Sequence, residues 1–173
     1  MPIGVFNVSP GDLSGEALQD LVEQVSGSET AMLMDIPTLQ GATLSAAVAY
    51  ASHVLVPITP DVHSVTSVTH LQKILAALAE RSDAPGVYYL INRFDDSRPL
   101  HREVRSRLHD LLGSSLLPIV IHEEHTIEEA AAQGMTVVDA FPESPVVHEF
   151  VALAEWSCTL PASPQKQRKE GIA

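Results

Sequence analysis

An apolar run, AMLMDIP, covers residues 31–37 and ends in Asp35 and then Pro37. A buried strand that stops at a carboxylate delivers it to the mouth of a ligand crevice. There it can hold Mg²⁺ or one of the ion's waters. The plainer alternative is an Asp that caps the segment following the strand. Pro37 stiffens the loop, while Thr38, Gln40 and Gly41 keep it polar. Further along, Asn92-Arg93 closes the run GVYYLIN. An Asn side chain offers a donor beside an acceptor, which suits the edge of adenine. It equally suits a turn at a strand end. The segment FPESP holds Pro142, Glu143 and Ser144. Its proline and backbone groups can pack on a flat base. Alternatively it is a helix entry, with Ser144 as cap and Pro145 at the first helical position.

What is missing matters as much. A triphosphate needs a glycine-rich loop and a lysine, and no G-x-x-x-x-G-K-[ST] can be written in this chain. Its three lysines are Lys73, Lys166 and Lys169, and none follows a glycine. His122-Glu-Glu-His125 invites a metal reading, but it is not H-E-x-x-H. The acidic residues there, Glu123, Glu124, Glu128 and Glu129, fit the positive end of the following helix dipole. There is no G-x-S-x-G, and Cys158 has no activating neighbour, so nucleophilic catalysis has no support.

Cys158 is also the single cysteine, which excludes an internal disulfide and a multi-cysteine zinc site. A reducing, cytoplasmic setting fits. The formal net charge is −12, and three of the ten cations lie in residues 166–173. The remaining chain is more acidic still and repels phosphate backbones, so no nucleic acid is expected as a partner. No apolar stretch reaches the roughly 18 residues that span a bilayer. The N-terminal MPIGVFNVSPGD lacks the basic and apolar regions of a signal peptide.

The elements that must position these residues alternate. Continuous apolar runs at 3–8, 31–36, 53–58, 86–92 and 116–121 read as strands buried on both faces. Helical stripes lie at 13–25, 42–51, 64–80, 100–112 and 144–156. Asp12 and Ser14 stand near the first helix start, and Gly27 near its end. Alternation of this kind predicts an α/β fold, a mostly parallel sheet of about five strands with helices on both faces. Ligands then sit beyond the carboxyl ends of the strands. Residues 1–160 are expected to form one α/β domain, and the Pro-, Ser- and Lys-rich 161–173 a disordered tail.

Residues 35–65, DIPTLQGATLSAAVAYASHVLVPITPDVHSV, resemble the MinD/ParA-like P-loop ATPases. In that superfamily a D-x-P strand end, a short helix, an apolar strand and a proline-containing loop follow in this order. INR at 91–93 and P-x-S at 142–144 match its adenine-reading positions. A closer resemblance is to the BcsQ (YhjQ) family of cellulose-biosynthesis proteins. It rests on LLP-x-x-IH, on the Ala-rich helix after it and on the closing LA-x-W, and covers roughly residues 1–158. The resemblance implies a Rossmann-like P-loop NTPase fold lacking its N-terminal P-loop unit. It implies ATP and Mg²⁺ as cofactors, and a sandwich homodimer with nucleotide between protomers. Asp35 would serve the metal, and Asp35, Pro37, Asn92, Arg93, Pro142, Glu143 and Ser144 the nucleotide. It further implies a role in assembling or positioning the cellulose synthase complex at the inner-membrane face, with that complex's accessory subunits as partners. Nothing matches the phosphate-binding lysine, so the 173 residues are expected to bind nucleotide weakly and not to hydrolyse it. An alternative is a non-catalytic adaptor on the same scaffold that positions another cargo.

Overall fold

A computed structural model describes residues 3–4, 20, 31–36, 42–78 and 85–161. Pro37 and the tail expected at 161–173, apart from Pro161, lie outside these, as does the expected helix 13–25 apart from Asp20. The described residues fall into two compact units. One holds those up to Val54 and from Lys73 to Gly86; the other holds Leu55–Gln72 and Val87–Pro161.

In the first unit, β1 (Ile3–Gly4) pairs in parallel with β2 (Ala31–Met32), Ile3 opposite Ala31 and Gly4 opposite Met32. The strand expected over 31–36 is therefore short. Residues 33–36 continue without regular pairing, and Leu33 is 79% exposed. Helix α1 (Ala42–Tyr50) buries Leu44, Ala47 and Val48, an i, i+3, i+4 stripe.

Three strands form the second sheet, in the order β3 (His53–Ile58), β4 (Gly86–Phe94), β5 (Leu116–His122). Helix α2 (Ser64–Leu78) follows β3, and helix α3 (Pro99–Leu112) joins β4 to β5. β4 and β5 are parallel, as a strand–helix–strand connection requires. β4 was expected to be buried on both faces, and Tyr89, Leu90 and Ile91 are buried in succession. β3 differs, since Val56 and Ile58 are buried while Leu55 and Pro57 are exposed. Among the described residues, the expected strands are present as a pair and a triple.

Beyond β5 come α4 (His125–Ala132), the short α5 (Val137–Ala140) and α6 (Pro145–Thr159). Helices α3 and α6 both pack on β5. Leu90, Leu117, Ile121, Ala130, Val146 and Val147 form the core there, with Ile127, Phe150 and Trp156 against it. The ring of Trp156, in the closing LA-x-W, meets that of Tyr88 edge-on at 4.9 Å. Gly134 turns the chain between α4 and α5 at φ 68°, where a side chain would be strained.

Candidate functional site

β4 and β5 end side by side, and the backbone N–H of Glu123 still donates to the Phe94 carbonyl at 2.8 Å. Between Tyr89 and Phe94 the pairing slips register twice. Arg93 stands at φ 57°, a left-handed conformation that a strand residue rarely adopts. The Asn92 Oδ1 accepts the Arg93 N–H at 3.0 Å and supports this turn. That leaves the Asn92 Nδ2 without a partner among the described residues, free to donate to a ligand.

The turn aims the Arg93 guanidinium at Glu123, 2.8 Å away, with Glu128 at 3.9 Å. The guanidinium holds the Glu123 carboxyl below its ordinary pKa. Glu123 therefore serves an ion pair across the strand ends rather than the helix dipole alone. Glu128 does lie in the first turn of α4, as the sequence suggests.

Two open clefts adjoin at these strand ends. One, of about 290 Å³, is lined by Asn92, Arg93, His122, Glu124 and Phe150 among others. The second, of about 520 Å³, is lined by Glu124, Thr126, Phe141, Pro142, Glu143 and Ser144 among others. Glu124 lines both, so Asn92, Arg93 and residues 142–144 are brought to one end of the unit. Ser144 stands at the N-cap position of α6 with Pro145 next, as expected. Its hydroxyl does not cap the helix, however. It is buried and lies 3.0 Å from the Thr126 hydroxyl, which ties the 142–144 loop to the start of α4.

Asp35 is exposed and belongs to the other unit. His122 and His125 do not join into a metal site: no group of three or more His, Cys, Asp or Glu side chains is arranged around a common point among the described residues. His125 pairs with Glu124 at 2.7 Å. His122 instead sits between Glu149 on α6 and Asp96 after β4, at 2.6 and 3.1 Å. Burial alone would lower its pKa, but Glu149 and then Asp96 outweigh this and hold it above the ordinary histidine value. Glu149 and Asp96, 27 and 26 residues away, carry no local sequence signal.

The cleft residues fit a flat heteroaromatic base. They present an apolar floor in Phe141 and Pro142, a free amide donor in Asn92 and the hydroxyl pair of Thr126 and Ser144. They do not fit a triphosphate, because the cleft carries Glu123, Glu124, Glu128 and Glu143 against one arginine. No helix among the described residues is long and apolar enough to cross a membrane.

Solved structures share this fold. The MinD cell division ATPase of Pyrococcus furiosus aligns at TM-score 0.62 with 20% identity, over 86% of this chain and 60% of its own. MinD of Aquifex aeolicus aligns at 0.67 with 16% identity, over 87% of this chain and 63% of its own. A ParA family ATPase from Chlorobium tepidum aligns at 0.63 with 16% identity, over 82% and 56%. The chain thus spans about three fifths of the length of these proteins. Among curated protein sequences there is no match. The family model of the cellulose biosynthesis protein BcsQ matches residues 11–158, which takes in α1 to α5, α6 except its last residue, and both clefts. The chain belongs to the BcsQ family, on a MinD/ParA-like fold.

Proposed function

We propose that these 173 residues carry the base-binding side of a nucleotide-dependent accessory protein of bacterial cellulose biosynthesis. The observation that supports this most is the convergence of Asn92, Arg93 and residues 142–144 on two adjoining clefts at the strand ends. In this reading the Asn92 Nδ2 donates to a ring nitrogen of adenine, and Pro142 covers a face of the ring. ATP with Mg²⁺ is the cofactor, with Asp35 serving the metal. The protein works in the cytoplasm at the inner-membrane face. It acts as a homodimer with accessory subunits of the cellulose synthase complex, and helps assemble or position that complex.

The same 173 residues do not hydrolyse ATP by themselves. Phosphoryl transfer depends on positioning and charge stabilisation by backbone N–H groups, a lysine and Mg²⁺. The absence of that lysine removes charge-assisted contacts worth about 1.5–3 kcal/mol each.

Calorimetric titration of the purified chain with adenosine and with Mg-ATP, beside Asn92→Ala, tests both parts. Weak binding of both ligands, lost in the variant, with no phosphate released, is expected. Micromolar affinity for Mg-ATP or steady turnover would show that a phosphate site exists elsewhere in the chain. Adenosine binding unchanged by Asn92→Ala would sink the assignment of the base cleft.

A further inference from the structure

His122 occupies the last position of β5 and lines the smaller of the two adjoining clefts; of the walls it touches, one belongs to that cleft and the other to its larger neighbour. One wall is the β4 exit, Asn92 and Arg93, and Asp96 lies just past it. The other is the 142–144 loop, and Glu149 lies one turn into the helix that follows. The imidazole touches both flanks. Its Nδ1 lies 2.6 Å from the Glu149 Oε1, and its Nε2 lies 3.1 Å from the Asp96 Oδ2. Glu149 also accepts the His122 backbone N–H through its other oxygen, at 2.8 Å. An ionised carboxylate can only accept. To satisfy both contacts, both ring nitrogens must donate, so the arrangement requires the imidazolium.

We propose that His122 is a positioning residue of the base cleft, whose two carboxylate contacts tie the β4 exit to α6 and so fix the spacing of the cleft walls. The proposal rests on the base-cleft reading for its ligand, but not for the clamp itself. The surroundings favour this role. The His122 ring meets the buried Phe94 ring edge-on at 5.6 Å, which limits its freedom to turn away. Across Phe94 stand His101, whose Nδ1 accepts the Asp95 N–H at 2.9 Å, and the Arg105 guanidinium, 5.5 Å from the ring centre. The His101 Nδ1 is thereby taken up by the Asp95 backbone. Within the cleft itself, Glu124 and the paired Arg93, Glu123 and Glu128 complete the charged groups near His122. Their balance is negative, which also favours the imidazolium.

Loss of the His122 proton turns one donor into an acceptor facing a carboxylate. One of the two contacts must then break, and the ring no longer links one wall to the other; each wall keeps only its backbone tie to β5. The clamp and the base site accordingly titrate together.

The test follows amide and imidazole signals of the whole 173-residue chain by NMR across about pH 6 to 8.5, first without ligand and then with adenosine. Expected without ligand is a common titration of the His122 ring, the Asn92 and Arg93 amides and the 143–144 amides. In His122→Gln the amide titrations vanish, and in Glu149→Gln their midpoint falls. Amides of both walls that stay still while His122 titrates would overturn the proposal. So would an unchanged midpoint in Glu149→Gln. Adenosine affinity should weaken about fivefold from the low to the high end of that range in the wild type and stay level in His122→Gln. Affinity equally level in both proteins would overturn the proposal. Failure of adenosine to bind at any pH, with the joint titration intact, would support the clamp and sink the base-cleft reading alone.

Discussion

Glu149 accepts both the backbone N–H and the ring Nδ1–H of His122, at 2.8 and 2.6 Å. One carboxylate on α6 thereby fixes both the backbone and the side chain at the end of β5. The consequence for stability has a definite sign. Burial opposes the charge on His122, but Glu149 and Asp96 raise its pKa above the ordinary 6.5. A raised folded-state pKa contributes stability in full below the unfolded value. That contribution is lost as pH rises through the folded value. His122 is 40% exposed, so solvent screening reduces the contribution to about 1 kcal/mol. Urea unfolding of the wild type and Glu149→Gln should therefore differ most near about pH 6, and the gap should narrow on the alkaline side. A gap constant across pH would show that the pair contributes no linked protonation.

Arg93 provides a second test, through backbone geometry rather than charge. At φ 57° it holds a conformation that glycine adopts freely. Arg93→Gly and Arg93→Ala both remove the pairing with Glu123, and only the first relieves the backbone. The glycine variant should be more stable than the alanine variant by about 1 kcal/mol in denaturant melts. Equal stabilities would mean that the turn at Arg93 is not maintained in solution.

Phe94 is 1% exposed, and His101, His122 and Arg105 all lie against its ring. Phe94→Ala should cost roughly 3–5 kcal/mol, the range for deleting a buried aromatic ring. It should also disorder the His122 ring, visible as broadening of its imidazole signals. A loss below about 1 kcal/mol would contradict the buried placement.

Asp61 lies in the loop between β3 and α2. Its Oδ1 accepts the His63 N–H at 2.8 Å, and its Oδ2 accepts the Thr59 hydroxyl at 3.0 Å. Ser64 Oγ donates in turn to the Thr59 carbonyl. Burial alone would raise the Asp61 pKa, but the His63 N–H and then the Thr59 and Ser64 groups bring it below the ordinary 3.8. A depressed folded-state pKa gives stability that is present above the unfolded value and lost as pH falls through the folded one. Asp61→Ala should thus cost about 1 kcal/mol at neutral pH, the usual value of a capping carboxylate. The difference should fade in acid, and thermal melts along a pH series would read it.

The sequence made β4 and β5 legible because continuous apolar runs end abruptly in polar residues, at Asn92 and at His122. Ser144-Pro145 marked the α6 entry by the chemistry of a helix start. What could not be read were contacts between residues distant in the chain. The run His122-Glu-Glu-His125 suggested local chemistry, yet His122 turns to Glu149 and Asp96, while Glu123 turns to Arg93. Ser144 matched a cap by type, but its hydroxyl meets Thr126. Asn92 signalled a turn at the end of β4, but the left-handed conformation falls on Arg93, where no glycine marks it. Asp35 was expected at the end of a six-residue strand, but regular pairing stops at Met32.

The register slips between β4 and β5 bear on which length changes this strand pair can absorb. From Tyr89 to Phe94 β4 advances five residues, while β5 advances six from Leu116 to His122. Most of the mismatch falls between Leu116 and Val120, where Pro118 has no N–H to give to the ladder. That interval is slack. A residue inserted or deleted there can be taken up by the irregular pairing before it reaches the exit. The same change between Ile121 and Glu123 would turn His122 to the opposite face of the sheet and separate it from Glu149.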